Sequence, residues 1–282
     1  MKNLKQYLLL FSYLFVVSAC DEIDGPYGGS SGNVIPTDSV VRKVLIEDFT
    51  GHTCQACPNA HRKASDLLNT YGERLVVIAV HADFWADPYP PTAPYFTYDF
   101  RTPLATQIAT DFGVIGQPFP KGMVNRMLNP GTNDPQILDW AAWAPKLSEW
   151  YALPADAGLE ITPTYDAGSR TITAEVDVKV VDNLVNPAKL AVYFIEDSII
   201  QWQKDGTSNV QNYVHNHVLR GSLNGAYGED LGTLNAGDEI SKTYSNSLVP
   251  NDAVPEKIKL VAILSDAVTK EVIQVEEVDL LP

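Results

Sequence analysis

Residues 40–58 read V-V-R-K-V-L-I-E-D-F-T-G-H-T-C-Q-A-C-P, and this stretch decides the fold of the first half of the chain. Residues 40–49 are rich in aliphatic and β-branched side chains, which predicts a strand. After the C-x-x-C pair, residues 59–71 carry apolar side chains on one helical face. Residues 75–80 form an unbroken aliphatic run, typical of a buried parallel strand. The predicted order is therefore strand, C-x-x-C, helix, strand.

The two cysteines of this motif are Cys54 and Cys57. Cys54 is predicted at the start of the helix, where free backbone N–H groups and the helix dipole stabilise a thiolate. Cys57 lies one turn further along, where it is more buried and can attack a mixed disulfide formed on Cys54. Because the thiolate is the nucleophile in exchange, the motif indicates a thiol–disulfide exchange site.

The first twenty residues are typical of an export signal. Lys2 and Lys5 precede an apolar run at residues 8–17, and that run is too short to cross ~30 Å of hydrocarbon. The following letters, V-S-A-C, resemble a bacterial lipobox, which implies cleavage before Cys20 and its acylation as the lipid anchor. An ordinary signal peptide with a chance cysteine is the alternative. Residues 21–39, rich in Gly, Pro and Ser, are expected to be a flexible tether.

The chain is acidic and contains few cysteines. It has 20 Lys and Arg against 35 Asp and Glu, a net charge of −15, and 3 cysteines. Such a surface repels phosphate backbones, so nucleic acid is not an expected partner. With Cys20 acylated, Cys54 and Cys57 remain, and an oxidising compartment favours a disulfide between them. Membrane attachment is expected through the lipid alone.

The order of strand, C-x-x-C and helix resembles the thioredoxin-like superfamily. Asp48 stands six residues before Cys54, where that superfamily keeps a buried acid, and the resemblance implies that it exchanges a proton with Cys57. The segment F-G-V-I-G-Q-P ends at Pro118 and resembles the one that carries the cis-proline beside the active site. The resemblance therefore implies that Pro118 is cis and faces Cys54, with the Phe119–Pro120 bond as the competing candidate.

An insertion at residues 81–101 holds seven aromatic residues and four prolines. It begins where an aliphatic strand ends, at the sheet edge where ligands usually bind. It is either an aromatic wall beside the dithiol that contacts a partner, or a packed loop that covers the sheet. A helix is predicted over residues 102–112, and another over residues 134–151 with a kink at Pro145.

From Gly158 onward the periodicity of the sequence changes to two. Residues 171–180 alternate cleanly between polar and apolar side chains, as a half-buried strand does. The other predicted strands are 159–164, 190–197, 213–220, 239–245, 257–264 and 271–278. About seven short strands parted by turns favour an immunoglobulin-like β-sandwich over residues 155–282. The predicted fold class is thus α/β plus all-β, a thioredoxin-like domain (residues 40–154) followed by that sandwich.

His215 and His217 lie two residues apart on a predicted strand, so they face the same side and could share a metal. No third ligand is evident in the nearby sequence, which favours a structural pair, and neither a metal nor a cofactor is expected. His52, two residues before Cys54, either tunes the thiolate or is an ordinary loop residue.

Taken together, the motifs resemble a family of Gram-negative outer-membrane lipoproteins named after a member of about twenty-eight kilodaltons. The resemblance rests on the lipobox, C-x-x-C-P, the G-V-x-G-x-P segment followed by V-N-R, and the strand H-N-H-V-L-R. It implies an outer-membrane location, on the periplasmic or the cell-surface face.

Two functions are compatible with these features. The first is a thiol–disulfide oxidoreductase that acts on cysteine-containing exported proteins. The second is a tethered surface-binding or adhesion protein, in which the Cys54–Cys57 disulfide is structural.

Overall fold

The structure is a computed structural model that describes residues 40–248 and 250–282. The predicted signal peptide, the tether and the lipid anchor Cys20 lie outside the described residues. The described part is a mixed α/β fold dominated by strands, with three α-helices among them.

The strand, C-x-x-C, helix, strand unit is confirmed. Strand β1 is Val44–Thr50, helix α1 is Cys57–Tyr71 and strand β2 is Leu75–His81. The two strands pair in parallel, with all seven residues of each strand buried. Helix α1 begins two residues earlier than predicted, because proline is well tolerated in the first turn, where its missing N–H leaves no helical bond unmade.

Two further elements complete this half of the structure. Helix α2 is Pro103–Asp111, and the Thr102 side chain caps it by accepting a bond from the Ala105 N–H. Strand β3 is Lys121–Val124 and pairs antiparallel with β1.

The helix predicted over residues 134–151 is wrong in its first part. Helix α3 covers only Trp143–Tyr151. Before it, the Leu138 N–H donates to the Gly122 carbonyl at 2.8 Å, so this segment pairs with a strand instead of coiling. Pro145 lies in the first turn of α3, where a missing N–H costs no helical bond, and it marks the helix start instead of a kink.

The second half contains ten strands where the sequence predicts about seven. They are β4 Ala157–Asp166, β5 Thr171–Val180, β6 Ala188–Glu196, β7 Ile199–Asp205, β8 Ser208–His215, β9 Val218–Ser222, β10 Glu229–Gly232, β11 Glu239–Ser247, β12 Ile258–Asp266 and β13 Val272–Asp279. The single strand predicted over residues 213–220 is wrong, because His217 has a φ of +59°. That left-handed backbone conformation ends β8 and separates it from β9.

One sheet crosses the predicted domain boundary. Its order is β13-β12-β6-β9-β2-β1-β3, with β10 also paired to β6. Strand β2 joins β9 through Ala79, whose N–H donates to the His217 carbonyl at 2.7 Å. The sheet is therefore not divided between residues 154 and 155, and the boundary between folding units stays a prediction.

A second sheet, of order β11-β5-β4, shares its apolar side chains with β6 and β12 in one buried cluster. The two sheets thus bury apolar side chains in one cluster, and the immunoglobulin-like β-sandwich stays a prediction. The described strands β7 and β8 pair with each other as a separate hairpin.

Candidate functional site

The two cysteines form a disulfide at the carboxyl end of β1. Cys54 lies in the loop before α1, not at the helix start as predicted, because the helix begins at Cys57. The Cys57 N–H nevertheless donates to Cys54 Sγ at 3.2 Å, so the first free N–H of the helix points at that sulfur. The expected difference in burial is also wrong: Cys54 is 1% exposed and Cys57 0%, since both pack in the same apolar cluster.

The aromatic insertion holds the C-x-x-C loop from one side. The Thr53 N–H and hydroxyl both donate to the Trp85 carbonyl, at 3.1 and 2.8 Å. A Cβ on Gly51 would lie 2.3 Å from that same carbonyl group, so only glycine permits this approach. Much of the insertion is packed, with Phe96 and Phe100 buried, whereas Phe84 and Tyr89 are exposed. The insertion is therefore partly a packed loop, as one alternative predicted, and partly an exposed aromatic surface, as the other predicted.

The β7–β8 hairpin holds the same loop from the other side. The Lys204 N–H donates to the His52 carbonyl at 2.8 Å and the Gly206 N–H to the Gln55 carbonyl at 2.9 Å. The buried Gln203 side chain donates through Nε2 to the Cys54 carbonyl at 3.1 Å. These partners are about 150 residues away along the chain, and no local pattern in the sequence indicates them.

The prediction for Pro118 is wrong with respect to its peptide bond. Among the described residues the cis bond is Phe119–Pro120, the competing candidate. Pro118 is exposed, whereas Phe119 is buried in the cluster that holds both cysteines. The proline segment thus contributes Phe119 to the apolar cluster that also contains both cysteines.

Asp48 is buried, and its burial raises the pKa of its carboxyl well above the usual value. Its Oδ1 has no hydrogen-bond partner among the described residues, and its Oδ2 lies 3.7 Å from His61 Nε2. It lines a cavity of about 100 Å³ whose lining contains neither cysteine. The structure therefore brings Asp48 to histidines, and its proton exchange with Cys57 stays a prediction.

The same cavity gathers four of the five histidines in the sequence. They are His61, His81, His215 and His217. The fifth, His52, contacts Phe100 at a ring-centroid distance of 5.4 Å, and Phe100 also contacts His81 and His215 at 4.4 and 4.5 Å. Sequence reasoning singled out His215 and His217 but missed His61 and His81. The sequence marks these two residues only by their positions. His61 lies one turn after Cys57, and His81 is the last residue of β2.

Burial keeps these histidines neutral near pH 7. It lowers the pKa of His215 to about 3 and that of His81 well below its usual value. Burial, with a smaller contribution from Arg62, lowers the pKa of His61 to about 4. The ring nitrogens of His81 and His215 have no hydrogen-bond partner in the described part of the chain. His61 in contrast bonds the Thr50 hydroxyl and the Tyr213 hydroxyl, each at 2.8 Å.

Histidine and carboxylate side chains are common metal ligands. Within residues 40–248 and 250–282, however, no three or more such groups are placed to hold a metal ion together. His215 and His217 both line the cavity, but His217 lies beyond the end of β8, so the two do not share one strand face as the sequence predicted.

The V-N-R segment lies on the other side of β1. Arg126 donates through Nε and Nη2 to the two carboxylate oxygens of Glu47, at 2.9 and 2.8 Å, with both side chains buried. Asn125 Oδ1 accepts from the Leu45 N–H at 2.7 Å. These residues fix β1 and β3 beside the disulfide loop.

Comparison with known protein families identifies the family of this chain. The model of the Omp28 outer membrane protein family matches residues 105–281, more than half of the chain. The chain belongs to the Omp28 family. This is the family that the sequence motifs resemble, and it locates the protein at the outer membrane. Among the described residues, no helix is long and apolar enough to cross a bilayer. No curated protein matches the chain.

Two solved structures share the fold, and a third shows a more limited likeness. HBP35 of Porphyromonas gingivalis superposes with a TM-score of 0.65 at 22% identity, covering 86% of this chain and 76% of that one. A protein from Agrobacterium tumefaciens has a TM-score of 0.51 at 14% identity, covering 85% of this chain and 95% of that one. A domain of the outer membrane lipoprotein Omp28 from Porphyromonas gingivalis is 25% identical, with a TM-score of 0.33, over 44% of this chain and 88% of that one.

Proposed function

We propose that this Omp28-family protein is lipid-anchored through Cys20 and exchanges disulfides with cysteine-containing exported proteins through Cys54 and Cys57. The observation that carries the proposal is the hydrogen bond from the Cys57 N–H, at the start of α1, to Cys54 Sγ. A helix N-terminus stabilises negative charge, so the same contact favours a thiolate on Cys54 in the reduced protein.

The exchange step needs only the two sulfurs and a proton acceptor. In the reduced protein, the Cys54 thiolate attacks a substrate disulfide, forms a mixed disulfide and releases one substrate thiolate. The Cys57 thiolate then attacks Cys54 Sγ and releases the second substrate thiolate, so the substrate gains two electrons and the pair is oxidised. The reverse sequence oxidises a substrate dithiol. As the thioredoxin-like resemblance implies, Asp48 exchanges a proton with Cys57.

Cysteine-to-serine variants test this proposal, with reduction of insulin as the readout. Cys54→Ser is expected to abolish reduction, because it removes the attacking sulfur. Cys57→Ser is expected to accumulate mixed disulfides, because the resolving sulfur is missing. Cys20→Ser is the matched control, which loses the lipid and retains full exchange activity. A Cys54→Ser protein as active as the parent chain contradicts the proposal.

A second function, a surface-binding lipoprotein with a structural disulfide, is favoured by one observation. Both cysteines are buried, whereas Phe84 is 54% and Tyr89 42% exposed on the insertion. This function predicts that the double variant Phe84→Ala/Tyr89→Ala loses binding to a surface partner, and that reductant leaves binding unchanged. Loss of binding on mild reduction contradicts it.

A further inference from the structure

Among the described residues, the strands of the β7–β8 hairpin form a two-stranded sheet of their own, outside the two larger sheets. Its strands pair with each other, from Ile199 opposite His215 to Asp205 opposite Ser208. On its outer side the cross-strand partners Ile200 and Val214 are 58% and 48% exposed. A two-stranded hairpin is marginally stable by itself, so the contacts beneath it decide whether it stays in place.

Those contacts reach the C-x-x-C loop, α1 and the aromatic insertion, where the ring of Trp202 lies 5.9 Å from that of Tyr95. At the tip, the backbone N–H groups of Lys204 and Gly206 bond carbonyls on both sides of Cys54. Arg62 of α1 pairs with Asp205 at 3.0 Å, an exposed ion pair. At the base of the hairpin, the Tyr213 hydroxyl bonds His61 at 2.8 Å. The hairpin therefore lies directly over the loop that carries the disulfide.

This placement limits access to the sulfurs. An attacking thiolate must reach a sulfur atom to form a mixed disulfide, and both cysteines are buried while the hairpin is seated. We propose that the β7–β8 hairpin is a displaceable cover that determines which thiols reach Cys54. The inference rests on the exchange function proposed above, and it identifies the part of the structure that determines which substrates react.

The contacts also indicate the kind of substrate. The hairpin satisfies the His52 carbonyl with the backbone N–H of Lys204 in strand β7, and the Gln55 carbonyl with the backbone N–H of Gly206 in the turn that follows. An extended peptide segment around a substrate cysteine offers backbone N–H donors of the same kind and can replace the hairpin on these carbonyls. A small thiol offers no such backbone. The preferred substrates are therefore cysteines in extended polypeptide segments, and small thiols react only when the hairpin opens by itself.

The first test measures how fast dithiothreitol reduces the disulfide in the full chain, purified in detergent. The variant Gln203→Ala/Arg62→Gln removes two side-chain contacts of the cover and leaves both cysteines in place. We expect reduction at least about tenfold faster than in the parent chain. Lys146→Gln is the matched control, because it removes an exposed ion pair of α3, and its rate should stay within about twofold of the parent.

Global unfolding is distinguished from opening of the cover by measuring the urea unfolding transition of each protein. An unchanged reduction rate in the double variant overturns the inference. The inference is also overturned if the reduction rate of the double variant rises only as much as its loss of global stability explains. These rates report access to the sulfurs, so they are independent of whether Cys54→Ser reduces insulin.

The second test compares two thiols on the parent chain and on the double variant. A ten-residue unstructured peptide with a central cysteine should reduce the parent disulfide at least about tenfold faster than glutathione at equal thiolate concentration. In the double variant, the ratio of the two rates should approach one. Equal rates of peptide and glutathione on the parent chain overturn the proposed substrate preference.

Discussion

Glu47 and Asp48 are neighbours in β1, and their carboxyl groups lie on opposite faces of the same strand. Both residues are 1% exposed. Glu47 meets Arg126 in a two-bond ion pair on the face that carries Leu45 and Phe49. On the other face, Asp48 meets histidines whose own pKa values burial lowers.

The difference shows that burial alone does not decide the charge of an acid. On the face that carries Leu45 and Phe49, the buried Glu47 carboxylate has a buried cation as its partner. Beside the histidine cavity, a buried carboxyl has no cation within hydrogen-bond distance among the described residues, and its pKa rises. We therefore expect the groups on the cavity face to make the stability of the protein depend on pH.

The largest expected effect comes from breaking the ion pair. Arg126→Met leaves the Glu47 carboxylate buried without a partner, and the free energy of unfolding should fall by about 3–5 kcal/mol. Urea denaturation at pH 7 measures it. The double variant Glu47→Gln/Arg126→Met is the control, because it removes both charges and should recover most of that loss. A single variant as stable as the parent contradicts the proposed role of the pair.

The next effect concerns the cavity at acid pH. Because burial holds the pKa of His215 at about 3, the unfolded chain binds a proton below about pH 6.5 that the folded chain does not. Stability therefore falls as the pH drops. His215→Phe should remove about 3 kcal/mol of the stability lost between pH 6.5 and pH 4.

The measurement is urea denaturation of parent and variant at both pH values. Lys146→Gln is the control, because it changes an exposed ion pair of α3 and leaves every histidine in place. A His215→Phe protein with the same acid sensitivity as the parent would show that His215 is protonated in the folded state.

The smallest effect has the opposite sign. Since the folded pKa of Asp48 is raised, the folded protein holds a proton that the unfolded chain loses above about pH 4. This destabilises the fold as the pH rises through that window. Asp48→Asn should therefore raise the free energy of unfolding at pH 7 and change it less at pH 4.

Urea denaturation of Asp48→Asn at pH 4 and pH 7 tests this sign, with Asp66→Asn on the exposed face of α1 as control. A loss of stability at pH 7 would mean that Asp48 is ionised and stabilised by a partner in the folded protein.

The sequence predicts the part of the site that lies within one strand–helix–strand unit. Spacing and periodicity locate β1, the two cysteines and α1 because these signals are local. The offset of Asp48 correctly predicts its buried position on β1. Only the structure shows which of the two X–Pro bonds in this segment is cis. The sequence could not, because Pro118 and Pro120 lie in one short segment and offer the same local signal.

The rest of the site depends on contacts between distant parts of the chain. Gln203 and Lys204 reach the C-x-x-C loop from about 150 residues away, and no local pattern encodes that approach. His61 and His81 become neighbours of His215 only when the hairpin closes over β1 and β2. The helix that the sequence predicted over residues 134–139 is absent for a similar reason, because Leu138 pairs with Gly122 of β3.

The most direct test of the exchange function is the reduction potential of the Cys54–Cys57 pair. The full chain is equilibrated across thiol–disulfide buffers, and free thiols are counted by mass after alkylation. The account predicts a midpoint between about −120 and −270 mV, the range of working oxidoreductases. A midpoint below about −300 mV, typical of structural disulfides, would contradict it.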